Sequence, residues 1–397
     1  MSSWFRISHL SAGFIAVLVG YSSSVAIIFQ AASAAGATPP ELASWMWALG
    51  IGMGASCIGL SLSYKTPVLT AWSTPGAALL VTGLSGLSMA QSIGVFLFSS
   101  LLITLCGVTG WFQKVMQYIP RSIAAAMLAG ILIRFGMDLF TSMQTQWLMV
   151  GLMFITFLLS RIWLPRYTVP LALVAGVACA GVQGLLHLEI LDWTPATPVV
   201  MMPEFSLSAL IGVGIPLFIV TMTSQNVPGL AVLRANGYET PASPLISWTG
   251  ATGLLLGPFG GFSFNLAAIT AAICMSKDAD PNPEKRYMAS VWAGIFYLMT
   301  GLFGATVVGL FTAFPVELVA AIAGLALLGT IGSSLAGALA DETDREAALV
   351  TFICTASGLS FVGIGSAFWG LVFGVLVHVL LGRSSAALQR KSDLQKS

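Results

Sequence analysis

The sequence predicts an all-α polytopic membrane protein with fourteen transmembrane segments in a seven-plus-seven inverted repeat. Short strand–half-helix elements are expected in spans 3 and 10. Three observations carry this. Of 397 residues, 57% are hydrophobic and 8% charged, with a mean hydropathy of +0.91. A soluble domain carries about 25% charged residues, so a chain this apolar has lipid as its solvent. Apolar runs recur along the whole chain, and the charges between them fall almost entirely on one side.

A span needs about 20 apolar residues. In order, the runs are 11–34, 42–62, 67–84, 90–110, 119–137, 145–163, 168–187, 206–230, 244–258, 262–275, 287–311, 315–336, 346–362 and 365–382. Fourteen such runs leave only short loops and no room for a soluble catalytic domain. The run 11–34 is long and no small-residue cleavage site follows it, so it reads as a retained first span.

With an even count both termini share one side. The loops on that side hold Lys65, Lys114, Arg121, Arg161, Arg166, Arg234, Lys277, Lys285, Arg286 and Arg345, and the termini add Arg6, Arg383, Arg390, Lys391 and Lys396. The remaining basic residue is Arg134. The opposite loops carry Glu41, Glu189, Asp192 and Glu204 without Lys or Arg. The positive-inside rule therefore places both termini in the cytoplasm.

Spans 3 and 10 break the pattern. Pro67–Leu79 opens extended, offers Ser73-Thr74 as N-cap residues and sets Pro75 in a first helical turn. Gly257–Ile269 opens with Pro and Gly, passes Ser263 and Asn265, and then turns helical. A second pair lies two spans earlier in each half: Tyr21-Ser-Ser-Ser24 in span 1 and Thr221-Met-Thr-Ser-Gln-Asn226 in span 8. Interrupted helices at corresponding positions of two halves point to a transporter's binding site. Seven spans per half is odd, so the repeats are inverted.

Two half-helices that meet near the midplane would aim their unpaired N–H groups at each other. A carboxylate or other small anion suits that gap without Lys or Arg. Ser73, Thr74, Ser263, Asn265, Ser23, Ser24, Gln225 and Asn226 supply polar tips, and Trp72, Phe262, Phe264 and Tyr21 supply aromatic faces. Together they favour a small aromatic acid over an inorganic ion. Each polar residue alone reads equally well as a helix cap or interhelical bond.

Among acidic residues, Asp138 and Glu317 fall within or at the edge of spans. Asp138 follows Arg134 by one helical turn, as an ion pair near a span end or as a gating or proton-coupling pair. Glu317 opens span 12, seven spans on from Arg134 and Asp138, as a helix-capping carboxylate or, with that pair, as a gating or coupling candidate. His9 and His187 lie at span ends, and His378 has no partner nearby in sequence. The five cysteines lie apart in apolar runs and read as packing residues. No Ser/His/Asp set, metal cluster or phosphate loop supports an enzyme, a metal or a cofactor. A formal net charge of +1 offers nothing to nucleic acid.

The segments Ala71-Trp-Ser-Thr-Pro-Gly-Ala77, Gln225-Asn-Val-Pro-Gly229 with Arg234-Ala-Asn-Gly-Tyr238, and Gly260-Gly-Phe-Ser-Phe-Asn265 resemble those of the benzoate transporter (BenE) family. The likeness covers essentially the whole chain. It implies a benzoate–proton symporter of the bacterial inner membrane, with the fold of the uracil, xanthine and sulfate permeases. That fold implies a core domain from residues 1–118 and 201–312, a gate domain from 119–200 and 313–383, and a cytoplasmic tail, 384–397. It also implies substrate between core and gate, and commonly a homodimer. Nucleobase permeases place acidic residues in spans 8 and 10, where this chain has the neutral Gln225 and Asn265. Neutral groups suit an anion, and they remove the usual proton carrier. Another small anion or a nucleobase as cargo, or an anion channel, is the alternative.

Overall fold

The computed structural model describes residues 6–111, 120–186, 195–277, 279–361 and 366–396. Lys114, His187, Glu189 and Asp192 lie outside the described residues. The first long helices are α1 (Ile7–Ala34) and α2 (Pro39–Tyr64). They are followed by strand β1 (Thr70–Trp72), the short α3 (Thr74–Gly83) and α4 (Met89–Val108). Helices α5 (Arg121–Thr141), α6 (Trp147–Trp163) and α7 (Thr168–Val182) come next. The second half opens with α8 (Leu207–Arg234) and α9 (Ala242–Leu256). Strand β2 (Phe264–Leu266), α10 (Ile269–Cys274), α11 (Tyr287–Leu302) and α12 (Gly304–Thr312) follow. The chain ends in α13 (Val316–Leu339), α14 (Arg345–Ala356) and α15 (Ser366–Lys396).

Local sequence explains several starts. Thr38 and Glu41 form a reciprocal capping box at α2, with prolines in its first turn, and Ser88 and Gln91 do the same at α4. Small residues set the close crossings. A Cβ on Gly50 would meet the Gly301 backbone at 2.4 Å, and one on Gly54 would meet Leu298 at 2.6 Å, so α2 lies directly on α11. Helices α1 and α2 pack on α11, and α4 packs on α9. Helix α5 packs on α13 and α14, α14 on α15, and α6 on α7. Contacts between these groups include α1 with α7 and α13, α3 with α5, and α8 with α5 and α15.

Several spans differ from expectation. Six described helices are long and apolar enough to cross a membrane. Span 11 is two helices, α11 and α12, bent by 70°. The Leu302 carbonyl at that bend accepts from Ala196 N–H at 2.8 Å, and Gly304 sits against Met46 and Trp47 of α2, where a Cβ would be at 3.0–3.2 Å. Span 1 is not interrupted at 21–24. Ser22, Ser23 and Ser24 return their hydroxyls to carbonyls of the preceding turn, and α1 runs through. Span 8 is not broken either, but it widens into π-turns at Leu210–Gly214 and Met222–Asn226. Pro216 and Pro228 follow these turns. Each would clash with the carbonyl four residues back, on Gly212 or Ser224, and one extra residue in the turn relieves that.

The start of α1 is pinned by a buried charge cluster. Arg6 and His9 Nε2 both lie 2.9 Å from Asp280 Oδ2, and Asp280 is 1% exposed. Buried Arg286 donates to the Asp280 and Met275 carbonyls at 2.7 and 2.9 Å. Burial alone would raise the Asp280 carboxyl, but the Asn282 N–H, His9 and Arg6 outweigh it and hold its pKa below the usual value. Folding therefore favours the ionised form. That stabilisation is complete above the unfolded value of about 3.9 and is lost as pH falls through the lower folded value. Asp280→Asn is expected to cost about 1–3 kcal/mol at neutral pH, read as a lower thermal midpoint in detergent. As pH falls through that lowered folded value the difference from the parent protein should shrink and then vanish. An unchanged midpoint at pH 7 would remove the cluster as an anchor.

His378, unpartnered in the sequence, gains a carboxylate in the structure. Its Nδ1 lies 2.6 Å from Asp344 Oδ1, and Ser122 donates to Asp344 Oδ2 at 2.7 Å. The three join α15, the α13–α14 connection and the first turn of α5.

Candidate functional site

The centre is a two-stranded antiparallel ribbon. Thr70 pairs with Leu266, Ala71 with Asn265, and Trp72 with Phe264. Ser73 N–H extends it to the Ser263 carbonyl at 3.1 Å, and Ala267 N–H donates to the Leu69 carbonyl at 2.9 Å. Strands this short are not stable alone, and side chains from the surrounding helices hold their edges. Asn226 Oδ1, in the second π-turn of α8, accepts from Leu266 N–H at 2.9 Å. Cys57 Sγ of α2 accepts from Thr70 N–H at 3.1 Å, and Ser56 bonds the Thr70 hydroxyl at 2.6 Å. Each of these contacts satisfies a backbone or hydroxyl group that lipid could not.

Helix α3 leaves the ribbon as the Ser73-Thr74-Pro75 signal implied. Ser73 is the N-cap, and its Oγ accepts from Gly76 N–H at 3.0 Å. The second half repeats the order of strand then short helix but differs at the cap. Ser263 and Asn265 resemble capping residues in the sequence, yet they lie before and within β2. Helix α10 starts later, at Ile269, after Ala268, which caps nothing, and it has six residues. Both halves thus carry a strand followed by a short helix, and they differ in that the α3 N-terminus has a side-chain cap and the α10 N-terminus has none.

The remaining predicted residues sort by position. Trp72 Nε1 donates to Ser24 Oγ at 2.8 Å, and the Tyr21 and Trp72 rings meet edge to face at 4.8 Å. Thr74, Tyr21, Ser23 and Gln225 are half-buried, while Ser73, Asn226, Ser263 and Asn265 are fully buried. Ser263 adopts φ +41, and its Oγ has no hydrogen-bond partner among the described residues. Asn265 donates to the Ser263 carbonyl at 3.1 Å, and its Oδ1 is likewise unpartnered, as is the buried Thr221 hydroxyl. Unpaired buried polar atoms are costly, and they are rare in native folds.

Two expected stacking faces are taken by the scaffold. Phe262 packs against Trp45 and Phe96, with centroids at 5.9 and 5.5 Å. Phe264 lies against Gly52 of α2, where a Cβ would sit 2.4 Å from its ring. Alternation along β2 turns Asn265 to the face opposite Phe264. The bracing roles of Cys57, Ser56 and Asn226 are absent from any local motif. Pro228, four residues after Ser224, was the signal available for the π-turn that presents Asn226.

Arg134 and Asp138 lie elsewhere. Both are exposed on α5, no ion pair joins them among the described residues, and both line a cavity of about 600 Å³. The other residues predicted for the site do not line it. Glu317 is half-buried in the first turn of α13, whose N-cap is Pro315.

Relatives place this architecture. The chain is 51% identical over 94% of its length to the inner membrane protein YdcO of Escherichia coli (strain K12), covering 95% of that protein. It is 42% identical over 96% of its length to the benzoate membrane transport protein of Acinetobacter baylyi, covering 97% of that one. In fold it resembles the transmembrane domain of the cyanobacterial bicarbonate transporter BicA (TM-score 0.60, 15% identity, 94% of this chain and 96% of that one). It also resembles SLC26A9 (TM-score 0.58, 14% identity), matching 93% of this chain but spanning only 65% of that one. The family model for the benzoate membrane transport protein, BenE, matches residues 3–380. The chain is an integral multi-pass membrane transporter, not an enzyme, and it belongs to the BenE family.

Proposed function

We propose that this transporter imports benzoate or a related aromatic carboxylate, together with a proton, by alternating access. The observation that carries the reading is the neutral, hydrogen-bonding centre. The α3 N-terminus lies at a ribbon that also bears unpartnered Ser263 Oγ and Asn265 Oδ1, with Gln225 and Asn265 where carboxylates would repel an anion. Helix N–H groups and hydroxyls suit a carboxylate, and the Tyr21–Trp72 pair offers an apolar wall. The Acinetobacter relative's name supports benzoate as cargo.

In this reading Thr74, Ser23, Gln225 and Tyr21 form the reachable rim, while Ser73, Ser263 and Asn265 set the polar floor. Ser24, Asn226, Trp72, Phe262 and Phe264 hold the floor in place. Helices α1–α4 and α8–α12 act as the core and α5–α7 with α13–α15 as the gate, completing a fourteen-span inverted repeat that forms a homodimer. The antiparallel pairing of β1 with β2 is what two oppositely oriented halves would produce. The E. coli relative's name supports an inner-membrane location, and the Lys/Arg asymmetry supports cytoplasmic termini.

The proton travels with the substrate, since no acidic residue stands among the centre's described residues. Purified protein in liposomes is expected to accumulate benzoate with saturable kinetics, and an inwardly directed proton gradient should accelerate it several-fold. Trans-loaded benzoate should stimulate exchange. Uptake indifferent to the gradient would sink symport, and large unsaturating currents would identify a channel. The likeness to BicA favours one second reading, another small anion, which competition against benzoate uptake would reveal.

A further inference from the structure

We infer that the cavity lined by Arg134 is a vestibular capture site, which holds the carboxylate of the incoming anion on Arg134 before it reaches the ribbon. The inference rests on the transport reading above and extends it to residues outside the central site. Fifteen of the sixteen Lys and Arg residues fall in the termini and the loops that the positive-inside rule assigns to the cytoplasm, and Arg134 is the exception. A guanidinium in a spanning helix is expensive unless it pairs or faces water. Arg134 is exposed, and among the described residues it has no hydrogen bond and no ion pair. It therefore faces the cavity as an available cation.

The cavity suits the ligand class. Its volume of about 600 Å³ lies within the range of small-molecule sites, roughly 300–1,000 Å³. Its only charged lining residues among those described are Arg134 and Asp138. Gln30, Thr82, Ser208 and Ser366 add hydrogen-bonding groups, and the Thr355 hydroxyl on its wall is buried with no partner among the described residues. The lining comes from the end of α1 remote from its start, the end of α3 and the start of α8 on one side. On the other side it comes from α5, the end of α14 and the start of α15. It thus sits between the two groups of helices that alternating access would move. On the positive-inside reading this mouth is external. Asp138, one turn beyond Arg134, weakens the positive potential, so capture stays transient and the substrate is passed on.

The test is radiolabelled benzoate uptake by the full chain in liposomes, across ionic strengths. Arg134→Gln is expected to raise KM about tenfold with a smaller change in maximal rate, and to flatten the rise of KM with salt that the parent shows. Arg134→Lys should keep both the low KM and the salt response, and Asp138→Asn should lower KM. Parent-like KM and salt response in Arg134→Gln would overturn the inference. So would a lost maximal rate with unchanged KM, which marks a structural role. If Arg134→Gln does not fold, the salt response of Asp138→Asn against the parent decides in the same way, an unchanged KM counting against the site. A parent protein that transports no aromatic carboxylate overturns the functional reading itself, whereas a transporting parent indifferent to residue 134 overturns only the vestibular site.

Discussion

Asn265→Asp is expected to abolish benzoate binding at neutral pH. Asn265 is fully buried on β2, opposite Ala71, with its Oδ1 unpartnered and its Nδ2 on the Ser263 carbonyl. Aspartate keeps the shape and adds a negative charge. Against a carboxylate roughly 4 Å away, at an effective dielectric of about 20, that costs about 4 kcal/mol, or close to a thousandfold in affinity. A buried aspartate also takes up a proton more readily than an exposed one. Binding should therefore recover in part on acidification, while a neutral Asn265→Ala variant should lose less and show no such recovery. Isothermal titration or a thermal-shift series with benzoate reads all three, and a normal elution profile confirms folding. Unchanged affinity in Asn265→Asp would remove this residue from the site.

The second large effect is structural. Gly260 closes the turn that feeds β2, with φ +91, and a Cβ there would lie 1.9 Å from Trp45 Cδ1. Trp45 is fully buried between Phe96 and Phe262, so it has no room to retreat. Gly260→Ala combines left-handed strain of about 1–2 kcal/mol with an overlap that well-packed cores do not absorb. It is expected to eliminate monodisperse protein in detergent. Gly36→Ala is the control: its φ is +73, but nothing lies within 4 Å of the added carbon. Only the strain remains there, and the thermal midpoint should fall by a few degrees. A Gly260→Ala protein that elutes and transports like the parent would show that Trp45 does not set the ribbon's position.

The parts of the site that were legible depend on near neighbours. Ser73, Thr74 and Pro75 are read from three adjacent residues, and the α3 cap forms as they imply. Around Ser263 and Asn265 the expected strand and half-helix form in that order, as β2 and α10, although a polar residue before an apolar run looks alike at a cap and in a strand. Which of the two forms is settled by Leu69 to Ser73, nearly two hundred residues earlier. The serines of α1 looked like a break, yet a membrane helix accepts hydroxyls by bonding them to its own carbonyls.

By itself the sequence determined the solvent of this protein and its broad class, since transfer of apolar segments into lipid depends on composition and length alone. It also determined the neutrality of the centre. The tertiary structure alone decided that Asn226 is committed to the Leu266 N–H, that Phe262 is locked beneath Trp45, that Asp344 meets His378, and that Arg134 opens onto a cavity. Those outcomes depend on which distant helices come into contact. In a medium that satisfies no polar group, a residue's partner, and so its role, is set by what packs beside it.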